Sequence, residues 1–132
     1  MMDYKEIIQR DVLRNYPDRK IDASSAIENF EKYREMGGAY FSTEKTIIVL
    51  KCIGDSTVEF HAMNGGNGLD LTQAVNSMLE KLSVNYEKVV TYYDNPRISE
   101  LSKYGLYAIT VKKIDEGMDR TYEMTIDLTK KV

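Results

Sequence analysis

The chain has 132 residues, of which 42% are hydrophobic and 30% charged, and its formal net charge is −3. This length suits one domain with its own core, so we expect a single domain over residues 1–132. A mildly acidic chain is not typical of a nucleic-acid binder, and no apolar stretch approaches the roughly 20 residues of a membrane-spanning helix. The N-terminal segment lacks the apolar core of a signal peptide, so we expect the protein to act in the cytoplasm, where it is made.

Two helices are predicted before the first strand. Apolar residues at spacings of three to five over residues 7–16 indicate the first helix. In the second, Ser25 followed by Glu28 has the pattern of a capping box, so we expect this helix to begin at Ser25. Gly37 and Gly38 end it, because glycine tolerates the left-handed conformation of a helix cap.

Three strands follow, each rich in aromatic and β-branched residues: Ala39–Ser42, Thr46–Ile53 and Thr57–Met63. The third strand alternates, so Glu59 and His61 should point to the face opposite Phe60. Cys52 is the only cysteine, which excludes an intramolecular disulfide, and its apolar surroundings predict a buried, inert thiol.

The segment after the third strand cannot continue it, because its residues favour turns and positive φ: Asn64, Gly65, Gly66, Asn67 and Gly68. Asp70 with Gln73 has the pattern of a second capping pair, which predicts the start of another helix. The apolar stripe of that helix is the clearest in the chain: Leu71, Ala74, Val75, Met78, Leu79 and Leu82.

A strand, a short helix and a hairpin are predicted in the remainder. Glu87–Tyr93 has the composition of a buried strand. Asn95 followed by Pro96 is a typical helix start, and Gly105 ends this short helix. The hairpin comprises two β-rich segments, Tyr107–Ile114 and Arg120–Leu128.

The predicted order is therefore α-α-β-β-β-α-β-α-β-β, an α/β (α+β) fold with a mixed central sheet. The two crossovers through helices imply parallel pairing of the strands that they connect, and the hairpins imply antiparallel pairing.

Two local features make this order resemble the GNAT superfamily of N-acetyltransferases without its first strand. One is the strand Thr57–Met63, which runs into a glycine-rich turn and then a helix. The other is the segment 93–97, Tyr-Asp-Asn-Pro-Arg, which leads through Gly105 and Leu106 into the final hairpin. The short chain is also similar to the small acetyltransferase-like proteins of tailed bacteriophages.

The resemblance implies an acetyl-CoA-dependent N-acetyltransferase with an amine acceptor, either a small molecule or a protein. In GNAT enzymes the turn holds the pyrophosphate of coenzyme A, which points to Asn64, Gly65, Gly66, Asn67 and Gly68 as cofactor-binding residues. A base takes the proton of the amine and an acid protonates the leaving thiolate. Glu59 and His61 are the candidate bases, and Tyr93 is the candidate acid.

Other features favour a different class of function. Met63 occupies the position where the family pattern has Gln or Arg, and no basic residue lies between Lys51 and Lys81. Asp70 places a negative charge at the helix start, where it opposes a phosphate. The alternative hypothesis is a non-catalytic GNAT-like protein that acts through protein–protein contacts, such as a bacteriophage virion or host-interaction component.

Purely structural interpretations of the same residues stay open. The turn 64–68 can be a plain strand-to-helix connection, Glu59 a solvated strand residue and His61 a structural one. Leu101 and Ser102 stand where the family usually has a tyrosine, and no group of residues has the spacing of a metal site. The sequence therefore leaves open whether the protein is an enzyme.

Overall fold

The computed structural model describes residues 2–17, 22–117 and 120–132. In these ranges six strands form one sheet: β1 Tyr40–Ser42, β2 Thr46–Cys52, β3 Thr57–Asn64, β4 Lys88–Tyr93, β5 Tyr107–Lys113 and β6 Tyr122–Lys131. The helices are α1 Tyr4–Asn15, α2 Ala23–Glu35, α3 Gly68–Leu82 and α4 Arg97–Glu100, which continues as a 3-10 turn over Leu101–Tyr104. This arrangement confirms the predicted fold class. No helix in the described ranges is long and apolar enough to cross a membrane.

The strand order across the sheet is β1-β2-β3-β4-β6-β5. β3 and β4 pair in parallel, as the crossover through α3 predicts. The prediction of parallel pairing between β4 and β5 is wrong, since β6 lies between them and pairs antiparallel with both. β6 takes this place because its register follows the whole of β4, from Lys88 opposite Asp127 to Tyr93 opposite Tyr122.

Apolar side chains cover both faces of the sheet. The larger core lies under α3: Ile48, Phe60, Ala74, Met78, Leu79, Val89, Tyr107, Met124, Ile126 and Leu128. The smaller core lies under α1 and α2: Ile7, Ile8, Phe30, Ile47 and Met63. The stripe predicted for α3 is thus confirmed, as is the alternation along β3, which sends Phe60 and Met63 to opposite faces.

Both predicted helix starts need correction. α2 begins at Ala23, because the Asp22 side chain accepts the N–H of Ser24 at 3.0 Å and caps the helix before Ser25 is reached. α3 is capped by Asn67 rather than Asp70. Asn67 and Asp70 form the capping box, since each side chain accepts the backbone N–H of the other residue.

The prediction that Cys52 is buried is wrong, because its side chain is exposed and its Sγ lies 3.5 Å from the hydroxyl of Tyr86. Burial along β2 falls from Thr46 towards Cys52. The start of the strand lies in the covered middle of the sheet, whereas its end extends beyond the neighbouring β1, which pairs only as far as Val49.

Candidate functional site

The site begins where two neighbouring strands separate. β3 and β4 pair only between Thr57–Glu59 and Lys88–Val90, although β3 continues to Asn64 and β4 to Tyr93. Since the remaining residues of the two strands do not pair with each other, a gap opens in the middle of the sheet.

The backbone polar groups of β3 alternate between its two neighbours. The C=O of Thr57 accepts from the N–H of Ile53, and the N–H of Gly65 donates to the C=O of Lys45. Residues of odd number therefore direct these groups towards β2, and residues of even number direct theirs towards β4.

Beyond the paired segment, the even-numbered residues of β3 need partners other than the backbone of β4. The C=O of Phe60 accepts from the hydroxyl of Thr91 at 2.8 Å. The N–H of Asn64 donates to Oδ1 of Asp11 at 3.0 Å. This leaves the N–H and C=O of Ala62 directed into the gap, where an N–H group can polarise a carbonyl oxygen.

The gap is part of a cleft of about 600 Å³ that passes from the α1 side of the sheet to the α3 side. Its middle is apolar, with Leu71, Val75, Ile98 and Ile109 among the lining residues. Several residues that the sequence singles out also line it: His61, Asn64, Asn67, Gly68 and Tyr93. The cleft thus brings together one candidate base, the candidate acid and much of the turn.

Glu59 occupies a different position from His61. Its Oε1 lies 3.4 Å from Nη2 of Arg120, and Arg120 also stacks over the ring of Tyr92 at 4.4 Å. Among the described residues that line the cleft, Glu59 does not appear. Its carboxylate is therefore committed to a surface ion pair beside the cleft.

Asp11 of α1 is a cleft residue that the sequence did not single out. Its Oδ1 accepts from the N–H of Asn64 and from Nδ2 of Asn15 at 3.2 Å. Burial raises the pKa of Asp11, while the Asn64 bond and the nearby charges of His61 and Arg14 act in the opposite direction. A carboxylate with a raised pKa beside the only histidine is a suitable proton acceptor near neutral pH.

Tyr93 approaches the gap from the other face. Its side chain packs against the core under α3, its ring stacks on Tyr122 at 5.4 Å, and its hydroxyl lies 2.6 Å from Oγ of Ser99. Burial raises the pKa of Tyr93, so the hydroxyl keeps its proton at neutral pH. Proton acceptors and a proton donor thus face the cleft from opposite sides of the sheet.

The turn 64–68 uses most of its own N–H groups internally. Four donate within the protein at 2.7 to 3.1 Å, those of Asn64, Gly65, Gly66 and Asn67. The N–H groups of Gly68 and Leu69 have no acceptor among the described residues, as is usual in the first turn of a helix. The turn can therefore offer an anion these two donors and the positive end of the α3 dipole.

The side chain of Asn64 holds this turn in place rather than projecting freely into the cleft. Its Oδ1 accepts from the buried hydroxyl of Thr46 at 3.0 Å and from the N–H of Gly66 at 3.1 Å. Its Nδ2 donates to the C=O groups of Gly66 and Asn67 at 3.2 and 2.9 Å. Every polar atom of this buried side chain is satisfied by the turn and by β2.

The glycines of the turn serve close approach, not positive φ. Among the described glycines only Gly37 and Gly117 have positive φ, so that part of the prediction is wrong. A Cβ at Gly65 would lie 3.1 Å from the Cα of Ile7, and one at Gly66 would collide with the Asp70 carboxylate. The absence of side chains lets α1 and the capping box pack directly against the turn.

Cations reach the turn from α1, although the sequence places none close to it along the chain. Arg14 donates to the C=O of Asn64 at 3.0 Å and also to the C=O of Gly66. Arg10 donates to the C=O of Gly65 at 3.4 Å. The spacing of Arg10 and Arg14, one helical turn apart, was the signal that they share a face of α1.

No protein-family model and no curated protein matches the sequence. Solved structures do match the fold. A GNAT-family acetyltransferase from Staphylococcus aureus has 16% identity and a TM-score of 0.63, over 95% of this chain and 93% of that chain. A variant of spermidine N-acetyltransferase SpeG from Vibrio cholerae has 11% identity and a TM-score of 0.60, over 97% and 93%.

A ribosomal-protein-alanine N-acetyltransferase from Brucella melitensis also matches, with 10% identity and a TM-score of 0.52, over 92% of this chain and 89% of that chain. These likenesses extend over nearly the whole chain. The chain has the fold of the GNAT acetyltransferases.

Proposed function

We propose that the protein is an acetyl-CoA-dependent N-acetyltransferase that acts on an amine acceptor. The observation that carries this proposal is the gap between β3 and β4, which directs the N–H of Ala62 into a cleft with the start of α3 at one end. A gap between two central strands has a cost in a plain structural sheet, because each buried polar group left unpaired costs free energy.

The residues present fit the cofactor. A cleft of about 600 Å³ lies within the usual range for ligand sites, and its apolar middle suits an uncharged arm. The N–H groups of Gly68 and Leu69 and the arginines of α1 suit phosphate groups. Acetyl-CoA supplies an acetyl group activated as a thioester.

The chain's own residues would manage the protons. His61 and Asp11, on the α1 side, are placed to accept the proton of an incoming amine. Tyr93, on the α3 side, is placed to donate a proton to a leaving thiolate. Glu59, in its ion pair with Arg120, would help to shape the entrance for the acceptor.

The test is thermal denaturation with increasing acetyl-CoA or coenzyme A, followed by a screen of amines for release of free thiol. A ligand at about 100 times its dissociation constant stabilises a fold by roughly 2.7 kcal/mol, which raises the melting temperature by several degrees. We expect a saturating rise, and we expect Tyr93→Phe to keep that rise while slowing thiol release. The absence of any rise at millimolar ligand would refute the proposal.

One observation favours the second candidate, a non-catalytic protein that acts through protein–protein contacts. Four N–H groups of the turn donate within the protein, whereas a phosphate-binding turn is expected to direct such groups outwards. A role as a bacteriophage virion or host-interaction component belongs to this candidate. A folded protein that binds neither form of the cofactor but co-purifies with one defined partner would establish it.

A further inference from the structure

A second depression, of about 620 Å³, lies beside the turn on the side of α1. Arg10, Leu13 and Arg14 of α1 line it together with Lys45, which precedes β2, and the turn itself. Among its described lining residues, three cations face one carboxylate, that of Asp70. This local excess of positive charge contrasts with the net charge of −3 of the whole chain.

The side chains of Arg10, Arg14 and Lys45 have N–H groups that make no hydrogen bond to the described residues. Arg14 uses two N–H groups on the turn, and Arg10 uses one on Gly65 and one on Glu6, whereas a guanidinium group carries five. Lys45 Nζ approaches Asp70 only to 4.0 Å. Because the bonds to the turn fix both guanidinium groups, their remaining donors are held ready for an anion.

The depression adjoins the cleft, because Arg14 and Asn67 line both. A single ligand that crosses the turn would therefore reach from one into the other. Such a ligand has an uncharged end for the apolar cleft and a multiply charged anionic end for the depression. Met63 adds a structural reason. It is buried under α1, so the position where the family pattern has Gln or Arg here helps to dock the helix that carries Arg10 and Arg14.

Resting on the function proposed above, we propose that Arg10, Arg14 and Lys45 bind the phosphate groups of acetyl-CoA. In this chain they take over from the N–H groups of the turn that are already engaged inside the protein. Cofactor affinity would then depend on Arg10 and Arg14, which lie more than 50 residues before Gly65 and Gly66 in the sequence.

The experiment is isothermal titration calorimetry of coenzyme A with four variants: Arg10→Gln, Arg14→Gln, Lys45→Gln and the control Arg34→Gln. Arg34 lies on α2 over the ring of Tyr4 and outside the depression. We expect the dissociation constant to rise about tenfold for each arginine of α1, less for Lys45, and to stay unchanged for Arg34. The salt dependence of binding should weaken in the same variants.

Arg14→Lys separates charge from positioning of the turn. Lysine keeps the charge but lacks the rigid fork that holds the C=O groups of Asn64 and Gly66 together. A direct phosphate contact therefore predicts that much of the affinity is retained. A loss equal to that of Arg14→Gln would mean that Arg14 only positions the turn and would overturn the proposal for this residue. Melting curves without ligand confirm that each variant is folded.

The outcomes also distinguish the two proposals. If the unaltered protein binds coenzyme A and the variants bind it equally well, the phosphate-binding proposal is wrong and the proposed function stands. If the unaltered protein does not bind coenzyme A, the proposed function fails and this inference fails with it.

Discussion

The two faces of the sheet differ in how the sequence encodes them. On the α3 face, one continuous apolar stripe specifies both the helix and its core, with Ala74, Met78 and Leu79 all buried. On the α1 face, isolated polar residues of a distant helix complete a turn that belongs to another part of the chain. The first face supplies stability, and we expect the second to supply most of the binding chemistry.

The largest effect should come from the α3 face. Met78 is 1% exposed, so Met78→Ala removes buried methylene groups and should lower the free energy of unfolding by about 2–5 kcal/mol. Val84, which follows α3 and is 79% exposed, provides the control. Val84→Ala should change the free energy of unfolding by less than about 0.5 kcal/mol. Urea denaturation of both variants measures the difference, and equal losses would contradict the assignment of stability to the core under α3.

The next effect concerns the junction between the faces. Asn64→Ala leaves the buried hydroxyl of Thr46 without its acceptor and frees the turn, so we expect a loss of about 1–3 kcal/mol in unfolding free energy. Coenzyme A affinity should fall as well, because the turn loses its fixed shape. A variant with full affinity would show that the shape of the turn does not matter for binding.

A smaller effect is expected at Asp70, whose carboxylate completes the capping box of α3 but also places a negative charge in the depression. Asp70→Asn keeps an oxygen that can accept from Asn67 but removes the negative charge from the depression. We expect coenzyme A to bind about threefold more tightly, the size of a single charge near a helix start. Isothermal titration of coenzyme A into this variant and into the control Asp55→Asn, in the distant β2–β3 turn, measures the difference. Weaker binding by the Asp70 variant would contradict the proposed position of the phosphates.

The smallest effect is a change in the pH dependence of stability at Asp11. Burial raises its pKa in the folded chain, so the folded chain holds this proton more tightly than the unfolded chain. The stability that results is present below the ordinary carboxyl pKa and is lost as the pH rises through the raised value. We therefore expect the unaltered protein to lose stability relative to Asp11→Asn as the pH rises above about 4, the ordinary carboxyl range. If the urea midpoints of the two proteins keep a constant difference as the pH rises, this expectation is wrong.

The contrast between the faces also explains what the sequence could predict. The fold class, the α3 stripe and the alternation of β3 depend on local periodicity, which a single sequence displays. The placement of β6 between β4 and β5 depends on long-range pairing, and so does the meeting of Asp11 with Asn64. No local pattern marks such contacts.

Within the candidate site, the sequence singled out the turn, His61 and Tyr93, which remain candidates, but not the residues that surround them. Asp11, Arg10 and Arg14 appear in the sequence as ordinary charged residues of an amphipathic helix. The helix caps were misplaced for a simpler reason: Asp22 and Asn67 are as suitable for capping as Ser25 and Asp70, and only the backbone decides between them.

The packing of α1 against the sheet determines what fraction of the molecules can bind the ligand. Two fully buried side chains, Ile7 and Ile8, anchor this helix, while its polar residues hold the turn. Whenever α1 detaches, the turn loses its arginines and Asp11 at the same moment. The apparent dissociation constant is therefore the intrinsic one divided by the fraction of molecules with α1 docked. Ligand binding and protection of the Asn64 backbone N–H from hydrogen exchange should then rise and fall together.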